Sequence, residues 1–213
     1  MREGDLGGRR VLDVGCGTGR FAAQLSSQAR VWAVDESPQM LEVARARAPG
    51  VRFKQASVDA LPFKAGWFER ATMWLVIHLV ERPVAYAELR RVLAPGGRLV
   101  IATFDPSYFG LFWFRDYFPS MEEIDRARFP TQADFEVELA KAGFEAPRFV
   151  RLSQKATVTR EVALERIRGR HIATFDLISE HEYRAGLERA ERDLPGQVEY
   201  RQEWLLAVAE AAG

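Results

Sequence analysis

Along the first hundred positions, apolar residues fall into short runs separated by stretches of helical composition. Val11–Val14, Val31–Val34, Val51–Ala56, Trp67–Leu75 and Arg98–Phe104 each read as a strand, the first short, apolar and buried. A helix from Phe21 to about Gln28 follows the first run. Ser37-Pro38 opens the next helix, with serine as N-cap and proline at the first helical position. Met40, Leu41, Val43 and Ala44 give it an apolar face, and Pro49-Gly50 ends it. A third helix spans about Pro83 to Leu93, and Pro95-Gly96-Gly97 reads as a turn before the fifth strand. Strands alternating with helices at this spacing predict βαβ units, a parallel sheet and right-handed crossovers.

Farther on, Thr131-x-x-Asp134 is a helix start, Ala142 its end and Gly143 its C-cap. Pro147–Val158 alternates as a strand, residues 159–193 have helical composition with many charges, and Val198–Val208 reads as the last strand. The expected fold is therefore α/β: a doubly wound, mostly parallel seven-stranded sheet with a helical lid insertion before the last strand. Residues 1–158 and 197–213 are assigned to the α/β core, and 105–130 and 159–196 to lid and substrate-binding segments.

Bulk properties narrow the class. A length of 213 residues favours one domain with a sizeable core, and 47% hydrophobic with 28% charged residues is the composition of an ordinary globular protein. Thirty basic residues balance thirty acidic ones, which argues against nucleic-acid or membrane binding through bulk charge. Lysine occurs only at 54, 64, 141 and 155, and asparagine is absent, a bias expected from a GC-rich genome or a hot habitat. Cys16 is the only cysteine, so no internal disulfide can form and a reducing compartment is expected. The N-terminus lacks the apolar core of a signal peptide, and the longest apolar run, Met73–Val80, is too short to span a bilayer, so the expected location is cytoplasmic.

The chemistry concentrates in Val-Leu-Asp-Val-Gly-Cys-Gly-Thr-Gly-Arg-Phe, residues 11–21. A strand ending in Asp13 runs through three alternate glycines, Gly15, Gly17 and Gly19, into a helix. Glycine lets a ligand lie against bare backbone, and the helix start offers free N–H groups. An acid two residues before the first glycine is ill suited to a pyrophosphate and well suited to a cationic amine. Cys16 reads as a small spacer in this turn and not as a nucleophile. Ligands of open α/β sheets bind beyond the carboxyl ends of the strands. There the second strand supplies Asp35, which can accept both hydroxyls of a ribose, and the third is followed by Asp59 and Ala60, which can read an adenine edge. Taken singly, Asp13 and Asp35 read better as helix caps; three acids at separate strand ends around one glycine turn reverse that preference.

Four stretches, Val-Leu-Asp-Val-Gly-Cys-Gly-Thr-Gly, Val-Asp-Glu-Ser-Pro-Gln-Met-Leu, Asp-Ala-Leu-Pro-Phe and Leu-Ala-Pro-Gly-Gly-Arg-Leu, occur in order over roughly residues 9 to 155. As a set they resemble the motif series of class I S-adenosylmethionine-dependent methyltransferases, in the small-molecule, methyltransferase type 11-like branch. The resemblance implies S-adenosylmethionine as cofactor and methyl transfer to a small, apolar or aromatic acceptor. It implies that Gly15 and Gly17, with Cys16 and Arg20 in the same turn, lie at the methionine end. Asp13 is then set to orient the amine, Asp35 to hold the ribose, and Glu36 and Met40 to lie against adenine. Asp59 and Ala60 read the adenine edge, and the backbone at Met73 and Trp74 borders the methionine moiety. No metal is implied. Two departures stand out. Only about ten residues precede the first motif, where the family usually has one or two helices, so cover is expected from elsewhere in the chain or from a partner, or the start is truncated. The fourth strand opens Phe68-Glu69-Arg70 where the family has Phe-Asp and aliphatics, and Arg70 requires a partner or an exposed strand end.

Seven of the fifteen residues Asp105–Pro119 are aromatic, and the segment leaves the carboxyl end of the fifth strand. With the segment 159–193 it is expected to roof an apolar pocket, through Tyr108, Phe109, Phe112, Trp113 and His171, although packing of these rings onto the sheet is an equal alternative. Asp105-Pro106-Ser107-Tyr108 is similar to the Asp-Pro-Pro-Tyr signature of amino-methylating nucleic-acid enzymes, but follows the fifth strand and not the fourth, and reads as a turn. Methyl transfer requires in-line positioning, with a general base only where the acceptor loses a proton. His78, just past the fourth strand, is the candidate, with His171 second. One cysteine argues against arsenic-methylating relatives. A non-catalytic S-adenosylmethionine-binding protein on the same scaffold is the alternative reading, and a nicotinamide oxidoreductase is disfavoured by the glycine spacing and Asp13. The expected partner is a small molecule, with no nucleic acid and no membrane; a homodimer stays open.

Overall fold

The computed structural model describes residues 6–213. Among them seven strands form one sheet: β1 (Arg10–Val14), β2 (Arg30–Asp35), β3 (Arg52–Gln55), β4 (Phe68–Trp74), β5 (Leu93–Phe104), β6 (Arg148–Thr159) and β7 (Gln197–Glu210). The helices are α1 (Arg20–Leu25), α2 (Pro38–Arg47), α3 (Arg82–Val92), α4 (Ser120–Arg128), α5 (Gln132–Lys141), α6 (Arg160–Arg168) and α7 (Glu180–Asp193). Strand order is β3-β2-β1-β4-β5-β7-β6, with β1 parallel to both β2 and β4. Winding thus reverses between β1 and β4, the switch point at which open α/β sheets bind ligands. Gly96 N–H donates to the Ala211 carbonyl and Asp105 N–H to that of Glu203, so β7 runs antiparallel to β5. Glu145 and Arg160 N–H donate to the Glu210 and Gly196 carbonyls, so β6 is antiparallel to β7 and parallel to β5. The sheet is mixed, with a parallel body and one reversed strand.

Local signals act where they are read. The Ser37 hydroxyl caps α2 by accepting from Met40 N–H at 3.2 Å, and Pro38 occupies the first turn. Two regions differ from the sequence reading. Pro95-Gly96-Gly97 is no turn between elements but a bulge inside β5. Phe68 pairs with Leu93 and Arg70 with Arg98, so Glu69 alone opposes four residues. Gly96 takes φ +70°, and a Cβ on Gly97 would stand 2.7 Å from the Ala94 carbonyl oxygen. Helix α4 was not expected, because Ser-Met-Glu-Glu-Ile-Asp-Arg-Ala-Arg shows only two large apolar residues. Arg70 is 5% exposed and donates to the Glu69 carbonyl at 2.7 Å, while Glu69 accepts from the Arg10 backbone and guanidinium.

The chain divides into two compact units: residues up to Thr103 with Gln132–Val150 and Leu205–Gly213, and Phe104–Thr131 with Arg151–Trp204. The first has its main core in Leu12, Val14, Met73, Leu89, Leu99 and Phe135, with a bidentate Arg82–Glu138 pair joining α3 to α5. The second packs Phe118 against Phe175, ring centroids 4.9 Å apart, with Tyr183, Ile167 and Leu194 around them. Helix α7 passes so close that a Cβ on Gly186 would stand 2.7 Å from the Tyr117 carbonyl oxygen.

Candidate active site

Within the first unit, β1, β2, β3 and β4 deliver their carboxyl ends side by side. The turn after β1 is built on left-handed glycines, with φ +67° at Gly15, +52° at Gly17 and +73° at Gly19, a region glycine enters without strain. Cys16 N–H donates to the Val34 carbonyl and Gly17 N–H to Asp35 Oδ2 at 2.8 Å, which ties the turn to the end of β2. Asp35 Oδ1 accepts from Ser37 N–H at 2.9 Å, so the same carboxylate orders the entry to α2. Space around the glycines is unequal. A Cβ on Gly15 would lie 2.4 Å from Val76 Cγ2, and one on Gly19 2.9 Å from Ala44 Cβ, whereas one on Gly17 would meet nothing within 4 Å.

Asp13 is 1% exposed. Its Oδ1 accepts the Thr72 hydroxyl at 2.9 Å, and its Oδ2 has no hydrogen-bond partner among the described residues. Burial pushes the carboxyl up to about 7; the Thr72 bond lowers it and the Asp35 charge raises it. The Cys16 thiol is pushed up to about 12, chiefly by burial and then by the nearby Asp13 and Asp35 charges. It is a thiol at neutral pH and no nucleophile.

The remaining residues expected at the cofactor are spread over the same strand ends and the helix starts that follow them. Glu36 and Met40 are exposed at the start of α2. Asp59 is exposed in the single 3-10 turn Val58–Ala60, where Ala60 N–H already donates to the Ser57 carbonyl at 3.3 Å. Arg20 is exposed at the first position of α1. Met73 is fully buried and its side chain packs the core, so only its backbone remains to border a ligand. Trp74 is 41% exposed, with its ring 4.8 Å from that of Phe21. Leu75 follows with φ +55°, a left-handed non-glycine residue at the strand end, and Val76 folds back over Gly15. His78 is half-buried in the 3-10 turn Ile77–Leu79.

In the second unit, Tyr108, Phe112 and Trp113 are half-buried in 3-10 turns or at their ends, and His171 is exposed just past α6. Phe109 differs: it is 2% exposed and packs between Phe112 and Phe129, the arrangement expected of the packing alternative. Asp105 caps the turn Pro106–Leu111 by accepting from Ser107 N–H, in keeping with a turn at this tetrapeptide. Sequence reasoning missed Thr72 and Val76. The signal for Thr72 was a hydroxyl inside Ala-Thr-Met, an otherwise apolar stretch of the strand that pairs with β1.

Residues 11–97 match the family model described as a methyltransferase domain. The demethylmenaquinone methyltransferase of Thermus thermophilus is 40% identical over 120 residues, covering 52% of this chain and 54% of that relative. The chain spans about half the length of the curated relatives it matches. A Bacillus halodurans protein named as a candidate methyltransferase superposes with a TM-score of 0.70 at 22% identity, over 98% of this chain and 95% of that one. Phosphoethanolamine N-methyltransferase 2 of Haemonchus contortus, solved with S-adenosyl-L-methionine, superposes with a TM-score of 0.59 at 20% identity, over 98% and 50%. At these identities the structures speak for the fold, which is that of the methyltransferases they resemble, and the sequence match over the glycine turn and its neighbouring strands shows that residues 11–97 are similar to the methyltransferase domain family.

Proposed function

We propose that the chain transfers a methyl group from S-adenosylmethionine to a small apolar or aromatic acceptor. The observation that carries this reading is Asp13 Oδ2, a buried carboxylate oxygen without a partner beside a glycine turn. A ligand ammonium supplies the donor it lacks. Asp35 uses two lone-pair sites on Gly17 and Ser37 and keeps others for ribose hydroxyls. The open space at Gly17 suits a ligand lying on bare backbone, and two carboxylates at one turn oppose a pyrophosphate. Glu36 and Met40 flank the adenine, and Asp59 reads its amine; Ala60 N–H is already engaged, which leaves that edge chiefly to the carboxylate.

Bound cofactor supplies an electrophilic methyl group on a sulfonium. The chain's residues position it: Asp13 and Asp35 anchor the two ends, and the backbone of Met73 and Trp74 limits movement between them. His78 takes a proton where the acceptor must lose one. Acceptor recognition falls to the segments 105–130 and 159–196, with Tyr108, Phe112, Trp113 and His171 as the contact residues. One relative is named for demethylmenaquinone, and an apolar ring acceptor of that kind fits the aromatic character of the first segment. Balanced charge favours a small molecule over nucleic acid.

Calorimetric titration with S-adenosylmethionine, S-adenosylhomocysteine and NADH tests the cofactor. Micromolar binding of the first two alone is expected; absence of both, or tight NADH binding, overturns the reading. Methyl transfer to any member of an acceptor panel then separates an enzyme from a binding protein on the same scaffold.

A further inference from the structure

We propose that Thr72 is a positioning residue for the cofactor amine: its hydroxyl holds Asp13 Oδ1 in a dry site, so that Oδ2 is the oxygen offered to the ligand. The part that concerns the ligand rests on the proposed function; the part that concerns Asp13 does not.

Asp13 and Thr72 face each other in register across the parallel pair β1 and β4. Both are buried, at 1% and 2% exposure, so bulk water does not compete for the bond between them. Thr72 Oγ1 lies 2.9 Å from Asp13 Oδ1 and 3.4 Å from the Leu12 carbonyl oxygen. A hydroxyl has one proton to donate. Toward ionised Asp13 it donates at the shorter distance, a charge-assisted bond. Toward protonated Asp13 it can turn, donate to Leu12 and accept from the carboxyl. Thr72 is therefore satisfied in both protonation states, while Oδ2 is satisfied in neither without a ligand.

The other groups acting on Asp13 are few. Asp35, at the end of β2, opposes its ionisation, and Cys16, in the turn, is a neutral thiol. Burial raises the Asp13 carboxyl to about 7 and Thr72 is the group that lowers it. Removing the hydroxyl while keeping its volume leaves burial and Asp35 unopposed, so the carboxyl takes up its proton at higher pH. A role confined to packing predicts no such change.

The test is a titration of the Asp13 carboxyl carbon by NMR in ligand-free protein, assigned with Asp13→Asn. Wild type is expected to titrate near 7, Thr72→Val at higher pH, and Thr72→Ser close to wild type. If Thr72→Val does not fold, Thr72→Ala carries the same comparison. Calorimetry with S-adenosylhomocysteine gives the second readout. Wild-type affinity is expected to rise about tenfold per pH unit below the Asp13 midpoint, and Thr72→Val to show that rise displaced to higher pH. Equal Asp13 midpoints in wild type and folded Thr72→Val overturn the proposal. A displaced midpoint without S-adenosylhomocysteine binding by wild type upholds the role of Thr72 toward Asp13 and overturns the cofactor reading instead.

Discussion

Two glycine-rich stretches, Gly15–Gly19 and Pro95–Gly97, have much in common as sequence and do opposite things. The first follows the end of β1 and has three left-handed glycines; the second lies inside β5 and has one, Gly96. At 95–97 the glycines serve the chain itself: Gly97 lets β5 double back over Ala94, and the four-residue bulge shifts the register in which β5 then pairs with β4. At 15–19 two glycines serve packing, against Val76 and Ala44, and Gly17 faces open space. The acids alongside differ in the same sense. Glu210, 3.8 Å from a Cβ built on Gly96, is paired with Arg98 at 3.2 Å in a half-exposed ion pair. Asp13 is buried and keeps one oxygen without a hydrogen-bond partner among the described residues. Glycine reports only that the backbone needs room; an unsatisfied charge beside it reports what the room is for.

Substitutions can break this contrast. The largest effect is expected at Asp13→Asn, which would remove the charge-assisted bond proposed for the ligand amine. Affinity for S-adenosylhomocysteine, measured by calorimetry, is expected to fall about 10- to 100-fold. The same variant changes the pH dependence of stability. With the folded carboxyl at about 7 and the unfolded one at 3.8, the folded state binds the extra proton between those values. Stability is therefore fully present below pH 4 and falls as pH rises to about 7, by about 4 kcal/mol from this one group. Urea unfolding of ligand-free Asp13→Asn is expected to lack that slope, and an unchanged slope would move the titration elsewhere.

Gly17→Ala comes next. It adds a methyl group where the ligand is expected and an unfavourable left-handed alanine, worth about 1 kcal/mol. The protein should fold, with its melting temperature lowered by a few degrees, and bind S-adenosylhomocysteine at least about tenfold more weakly. Gly97→Ala should invert that result: a backbone clash costing about 1–3 kcal/mol in stability, with affinity unchanged. A loss of affinity there would mean that the bulge acts on the site. The smallest effect is expected from Arg98→Ala, below about 1 kcal/mol in urea unfolding, since its ion pair with Glu210 is half in water.

Much of the first unit was readable because its signals are local. Ser37-Pro38 caps α2 wherever it occurs, and the runs at Val11 and Val31 leave little choice but buried strands. The placement of Asp13 and Asp35 at strand ends was readable for the same reason. What they touch was not. The bond from Thr72 to Asp13 spans fifty-nine positions and depends on which strands neighbour each other. The bulge escaped notice because Pro-Gly-Gly carries turn chemistry whether the chain then changes direction or returns to its strand. For Phe109 both alternatives stayed open because composition cannot separate a ring that packs from one that faces a ligand; its contacts with Phe112 and Phe129 are visible only in the fold.

The height to which the Cys16 thiol is pushed has a consequence for the protein's chemical lifetime. Peroxides and alkylating agents attack thiolate, and at neutral pH this sulfur is almost entirely protonated. With no second cysteine in the chain, an oxidised Cys16 would have no internal partner to rescue it. Burial first, and then the two carboxylates beside the turn, hold its one sulfur in the unreactive thiol form. Oxidation of the turn, and its modification by thiol reagents at neutral pH, are accordingly expected to be slow.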